Sequence, residues 1–196
     1  MKMHDEAYYQ FLQRQTSALS VALGYRDEAT SRHSERVAGR AVRLGALCGL
    51  NARELAILRV AAAVHDIGKI GIPDQILSKR RRLSSADWVA IHHHPTMGAD
   101  ILMACDFDGA RELADIVRHH HENMDGTGYP DGLRGEAIPL GARIVSVVDA
   151  YDAMDEARPY HARRPHAEIM TILESEAGSR RDPDVLQAFC RLLDDA

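Results

Sequence analysis

Apolar residues recur at spacings of three and four along nearly the whole chain, the pattern of helices with one buried face. Phe11, Leu12, Ala18, Leu19, Ala22 and Leu23 form the first such stripe and predict a helix over about residues 5–26. A second is predicted over 31–49, turning Val37, Ala41, Leu44 and Leu47 inward. Asn51 suits the N-cap of a third helix, 52–66, closed at Gly68. Residues 71–83, with Pro73 and the basic run Lys79–Arg82, read as a loop. Ser84 or Ser85 caps the next helix, which stops near Pro95. Helices follow at 96–105 and 109–122, then a glycine- and proline-rich stretch, 123–139, of the long irregular kind that commonly carries function. Helices at 140–156, 165–177 and 183–194 complete the chain. There is no strand-like alternation and no internal repeat. The pattern predicts an all-α bundle of about seven to eight helices, with residues 1–26 as an N-terminal helix for docking or dimerisation and 27–196 as the main domain.

Composition narrows the class. At 196 residues, 45% apolar and 27% charged, the chain is long enough for a substantial core. Its longest apolar run, Ala61–Val64, is far short of a membrane span, and MKMHDEAYYQ lacks the apolar segment of a secretory signal. A cytoplasmic protein without membrane attachment is expected. Cys48, Cys105 and Cys190 are scattered, with no CxxC pair, and are expected to be reduced, largely buried thiols. A net charge of −5 argues against a DNA- or RNA-coating surface, but leaves room for a small nucleotide in a locally positive pocket.

Histidine and aspartate recur at separated points: His33, His65-Asp66, His94, His120-His121 and Asp149. A lone histidine says little, and the triplets His92–His94 and His119–His121 could be solvated helix faces. The company they keep is more telling. Asp66 follows the small-residue run Ala61-Ala62-Ala63, which permits close helix packing, and a buried aspartate there is costly unless paired or metal-bound. Asp149 sits in the equally apolar stretch Ile144–Ala150. Two acidic residues in strongly apolar helices suggest ligands.

The runs HDIGKIGIPD (65–74), His94-Pro95, HHENMDGTGYP (120–130) and IPLGARIVSVVDAYDAM (138–154), in that order, resemble the HD-GYP domain family from about Asp27 to Phe189. That resemblance implies a metal-dependent phosphodiesterase that hydrolyses cyclic di-GMP to linear pGpG, or on to GMP, by metal-activated hydroxide. By position it implies metal ligands at His33, His65, Asp66, His94, His120, His121 and Asp149, with Asp66 bridging two divalent ions. Iron or manganese suits such ligands, with zinc or nickel as alternatives. His92, His93 and His119 become structural or surface residues. Lys69 is implied to stabilise charge on the reacting phosphate, and Gly128, Tyr129, Pro130 and Arg158 to contact substrate. GGDEF-type or other signalling proteins, and a second copy of the chain, are the macromolecular partners implied.

The chain departs from the family at Ala29, where an acidic residue supports a third metal in some members. It departs again at His161, a common phosphate-binding lysine, and at Met154-Asp155. None of these removes one of the seven ligands, so activity is expected. A second reading is a catalytically weak or inactive module that senses cyclic dinucleotides or binds a protein; the complete ligand set argues against it. A third is a hydrolase for a related cyclic dinucleotide, because the glycine loop does not name the bases.

Overall fold

The computed structural model describes residues 2–26, 28–79, 82–156 and 164–194. Arg158, His161 and the Arg80-Arg81 part of the basic run lie outside the described residues, as do the side chains of Glu28 and Ala29. The helices are α1 (Lys2–Arg26), α2 (Glu28–Leu47), α3 (Ala52–Val64), α4 (Asp74–Leu77), α5 (Ser85–Ile91), α6 (His94–Ala104), α7 (Ala110–His119), α8 (Leu140–Asp155), α9 (His166–Ser175) and α10 (Pro183–Asp194). Eight of them are ten residues or longer, and no strand occurs among the described residues. Among the described residues no helix is long and apolar enough to cross a membrane.

The centre of the bundle is α3. Ala56, Ile57, Leu58, Val60, Ala61, Ala62 and Val64 are all buried, leaving little of the helix facing water. Its start is set by a capping box in which Asn51 Oδ1 accepts from Glu54 N (3.0 Å) and Glu54 Oε2 from Asn51 N (2.8 Å), an arrangement worth about 1 kcal/mol. α2 packs Val37, Ala41 and Leu44 inward, but Leu47, predicted to be buried, is 51% exposed. Cys48, one position on, is the residue that packs against the core instead.

α1 docks through Leu12, Thr16 and Leu23, while Ala18 and Ala22 of the predicted stripe face water. The true seam was hidden because it contains a threonine, whose hydroxyl is satisfied by donating to Leu12 O (3.0 Å). Two further expectations change. The stretch 71–83, read as a single loop, contains the short α4, and the 3₁₀ turn Ile67–Gly71 lies just before it. The helix break near Pro95 falls one turn earlier, so that His94 opens α6 with Pro95 in the first turn, where a missing N–H costs nothing. The cysteines are unpaired, but Cys105 is exposed and the other two are half-buried.

Candidate metal centre

Backbone geometry brings the distant histidines together. The chain leaves α3 at His65-Asp66 and enters the Ile67–Gly71 turn, which lies directly on α6. At Gly68 a Cβ would sit 1.9 Å from His94 O and 2.6 Å from Gly98 N, so only glycine permits this approach. The contact sets Asp66 beside His94. His120 and His121 follow directly on α7, His33 projects from α2, and Asp149 from α8.

All seven expected ligands face one another. Asp66 is 4% exposed and reaches both ways: Oδ1 lies 3.4 Å from His94 Nε2 and Oδ2 3.6 Å from His65 Nε2. Asp149 Oδ1 is 2.9 Å from His33 Nε2 and 3.8 Å from His65 Nε2. His94, His120 and His121 form one group of donor atoms compact enough to hold an ion, and His33, His65 and Asp66 another.

The tautomers follow from the partners. His65 Nδ1 lies 2.8 Å from Ala62 O, His94 Nδ1 2.8 Å from Ile91 O, and His120 Nδ1 2.6 Å from Val117 O. A carbonyl only accepts, so each Nδ1 carries the proton and each Nε2 presents a lone pair. His94 Nε2 and His120 Nε2 then meet lone pair to lone pair at 3.4 Å, in a fully desolvated position. Such an arrangement is unfavourable unless a cation lies between the pair, so the donor set fits a metal. Locking Nδ1 by a hydrogen bond is also how metal-binding histidines are commonly oriented.

Charge in the centre is arranged accordingly. Burial opposes ionisation of Asp66, but Lys69, His65 and His94 outweigh it and hold the carboxyl well below its usual range. Lys69 Nζ donates to Asp66 Oδ2 at 2.6 Å. Burial pushes His120 far below the usual imidazole range and His121 down to about 3, keeping both neutral. At His33 burial acts downward, but hydrogen bonds to Asp149 and Asp152 win and raise it to about 9.

Asp152 was missed from the sequence. Its Oδ2 lies 2.7 Å from His33 Nδ1, and Arg36 and Arg40 both donate to the same buried carboxylate. The signal was available: Asp152 is one helical turn beyond Asp149, and Arg36 one turn beyond His33.

The glycine loop closes one side. Gly128 is required by the loop itself, since a Cβ there would come within 2.3 Å of Asn123 N and 2.5 Å of Glu122 Cα. His119 is buried and bonds Asp131 (3.0 Å), which Arg118 grips at 2.6 and 2.8 Å, fastening the loop to α7. The Tyr129-Pro130 peptide is cis, and the Tyr129 ring stacks on His92 with centroids 3.9 Å apart. His92 therefore faces a cleft of about 480 Å³ with Trp88, His121, Tyr129 and Arg180. His93 is exposed.

Residues 18–185 match the HD domain family. The chain is 38% identical over 185 residues to a cyclic di-GMP phosphodiesterase of Thermotoga maritima, covering 94% of this chain and 50% of that one. It is 35% identical over 196 residues to a 3'3'-cGAMP-specific phosphodiesterase of Vibrio cholerae, covering 96% of this chain and 40% of that one. It thus spans about half the length of these relatives, or somewhat less. The solved structure of an HDG"Y"P protein from Bdellovibrio bacteriovorus superposes with a TM-score of 0.70 at 23% identity, over 97% of this chain and 62% of that one, a likeness of fold. The chain belongs to the HD domain family, and the joining of its His-Asp cluster to a Gly-Tyr-Pro loop places it in the HD-GYP branch.

Proposed function

We propose that this chain is a metal-dependent phosphodiesterase that opens cyclic di-GMP to linear pGpG, with GMP as a further product. The observation that carries this reading is the His94–His120 contact beside Asp66, two lone pairs and a buried carboxylate gathered with no proton to share among them. Two divalent ions, iron or manganese ahead of zinc or nickel, would be held with His33, His65 and Asp149 on one side, His94, His120 and His121 on the other, and Asp66 between. When bound, such ions supply Lewis acidity that activates water and offsets phosphate charge.

The chain's own groups have separable tasks. Asp66 and Asp149 remain ionised and keep the centre able to hold cations. Lys69, 2.6 Å from Asp66, is near enough to the centre to meet a phosphate oxygen as negative charge grows in the transition state. Burial, with Asp149 and Asp66 nearby, pushes the Tyr129 phenol above its ordinary range, so it keeps its proton and donates a hydrogen bond at neutral pH. Gly128 and Pro130 hold Tyr129 in that place, and Arg158 is proposed as a further phosphate contact. Residues 27–196 are proposed as the phosphohydrolase domain, with residues 1–26 as a helix that docks on it or pairs with a second copy. Cytoplasmic signalling proteins of the GGDEF or other types are its proposed partners.

Anaerobic purification, metal analysis and chromatography of cyclic di-GMP turnover test the reading. Turnover with iron or manganese, lost in Asp66→Ala, is expected. Retained nucleotide binding with no turnover by the metal-loaded chain would favour a sensor. Turnover indifferent to Asp66→Ala would overturn the metal assignment.

A further inference from the structure

The metal centre accounts for a phosphate but leaves the outer cleft unexplained. From His121 outward the rings form a series: His121 to Tyr129 (5.0 Å between centroids), Tyr129 to His92 (3.9 Å, 15° between planes), and His92 to Trp88 (5.8 Å). Trp88 ends it 49% exposed, on a helix fixed by the Ser84–Asp87 capping box. A large indole left half in water at the mouth of a cleft offers a face on which a flat ligand can stack.

The same cleft is lined by two consecutive arginines in very different states. Arg181 is built in: its side chain is 15% exposed, its Nε donates to Glu176 Oε2 (3.0 Å), and its guanidinium also donates to Ser146 O (3.0 Å) and the Ser146 hydroxyl. The side chain of Arg180 is 60% exposed and meets Glu176 Oε1 at 3.2 Å, a surface pair of small energetic value that is easily exchanged. Its backbone, in contrast, is pinned to the substrate loop. Asp125 N donates to Ser179 O (2.8 Å) and Met124 N to Arg180 O (3.4 Å). An exposed guanidinium is thus mounted on a backbone position tied to the loop, lining the same cleft as the rings.

We propose that the outer cleft is a guanine subsite, in which Trp88 supplies the stacking face and Arg180 reads the base edge. Guanine offers O6 and N7 side by side, two acceptors that match the arginine fork. Adenine sets an N6 donor beside N7 and leaves an arginine N–H facing another N–H. Arg180 therefore selects guanine over adenine at this position, which names the base that the glycine loop leaves open. The inference rests on the phosphodiesterase reading for its ligand class but not on turnover.

The test measures dissociation constants of the metal-loaded chain for hydrolysis-resistant phosphorothioate analogues of cyclic di-GMP, 3'3'-cGAMP and cyclic di-AMP. Wild type should prefer them in that order. Arg180→Gln, whose amide suits adenine, should shrink the preference for cyclic di-GMP over cyclic di-AMP about tenfold or more, from the usual worth of a bidentate base contact. Arg180→Lys keeps the charge without the fork and should also narrow it. Trp88→Ala should weaken all three ligands about tenfold or more with their order retained. An unchanged preference in Arg180→Gln overturns the proposal, whether affinity is untouched or falls equally for all three, the latter marking Arg180 as a phosphate contact. Cyclic di-GMP turnover by the same preparation is read separately. Binding preference without turnover sinks the hydrolase reading and leaves the guanine subsite standing.

Discussion

The two sides of the metal centre are built differently. Between α6 and the end of α7, His94 and His120 are oriented by local means, each Nδ1 donating to a carbonyl three residues back in its own chain segment. Between α2 and α8, His33 is oriented by side chains that lie 116 to 119 residues away, Asp149 and Asp152, and Asp152 is itself gripped by Arg36 and Arg40. One side is neutral and held by backbone; the other is a chain of charges. Backbone carbonyls cannot be mutated away or titrated. A charged network can be, so the α2–α8 side is where metal affinity can be altered without rebuilding the fold.

Breaking the neutral side should have the larger effect. His120→Ala removes a buried proposed ligand and leaves Val117 O without its side-chain donor, so metal content should fall by about one ion. Turnover should fall more than the ~10–100-fold typical of losing a group behind a ligand. Elemental analysis beside a turnover assay checks both; retention of two ions would show that His120 is not a ligand. Asp152→Asn keeps the shape but removes the charge that Arg36 and Arg40 grip, leaving them Glu156 (3.0 Å) and Asp155 (3.6 Å). Calorimetric metal titration should show affinity weakened ~10–100-fold at one site and unchanged at the other. Equal weakening at both would mean that the two sides are not separable.

The smallest effect concerns the loop that covers the neutral side. The Arg118 hydrogen bond holds the Asp131 carboxyl down at about 2, against roughly 3.9 for a free aspartate. Because the folded value is depressed, the ionised Asp131 contributes fully above about pH 4, and its contribution disappears as pH falls through about 2. The amide resonance of Asp131 should therefore shift between pH 4 and 2. Arg118→Gln should move that transition upward towards pH 4. A transition at the same pH in both proteins would break the link between α7 and the loop.

Much of this centre was legible in the chain. Asp66 and Asp149 stood out because a carboxylate within an apolar helix demands a partner, and the motif order then named the seven residues that the fold gathers. Asn51 and Ser84 were readable as caps because capping is local chemistry. Leu47 and the α1 seam were misjudged because a period of 3.6 fixes a stripe only to within a residue or so, and a satisfied Thr16 looks polar on paper. His92 read as a structural or surface residue, and nothing local reports that its ring lies against Tyr129, 37 positions away.

By itself the sequence determined the helical architecture and the family and pointed to the seven proposed ligands, since helix periodicity, capping and motif order are properties of neighbours along the chain. Only the tertiary structure decided that Asp152 holds His33, that Gly68 and Gly128 serve backbone packing, and that Trp88, His92 and Arg180 share a cleft. Those facts depend on which helix faces meet, and that is set by the packing of the whole core around α3 rather than by any local run of residues.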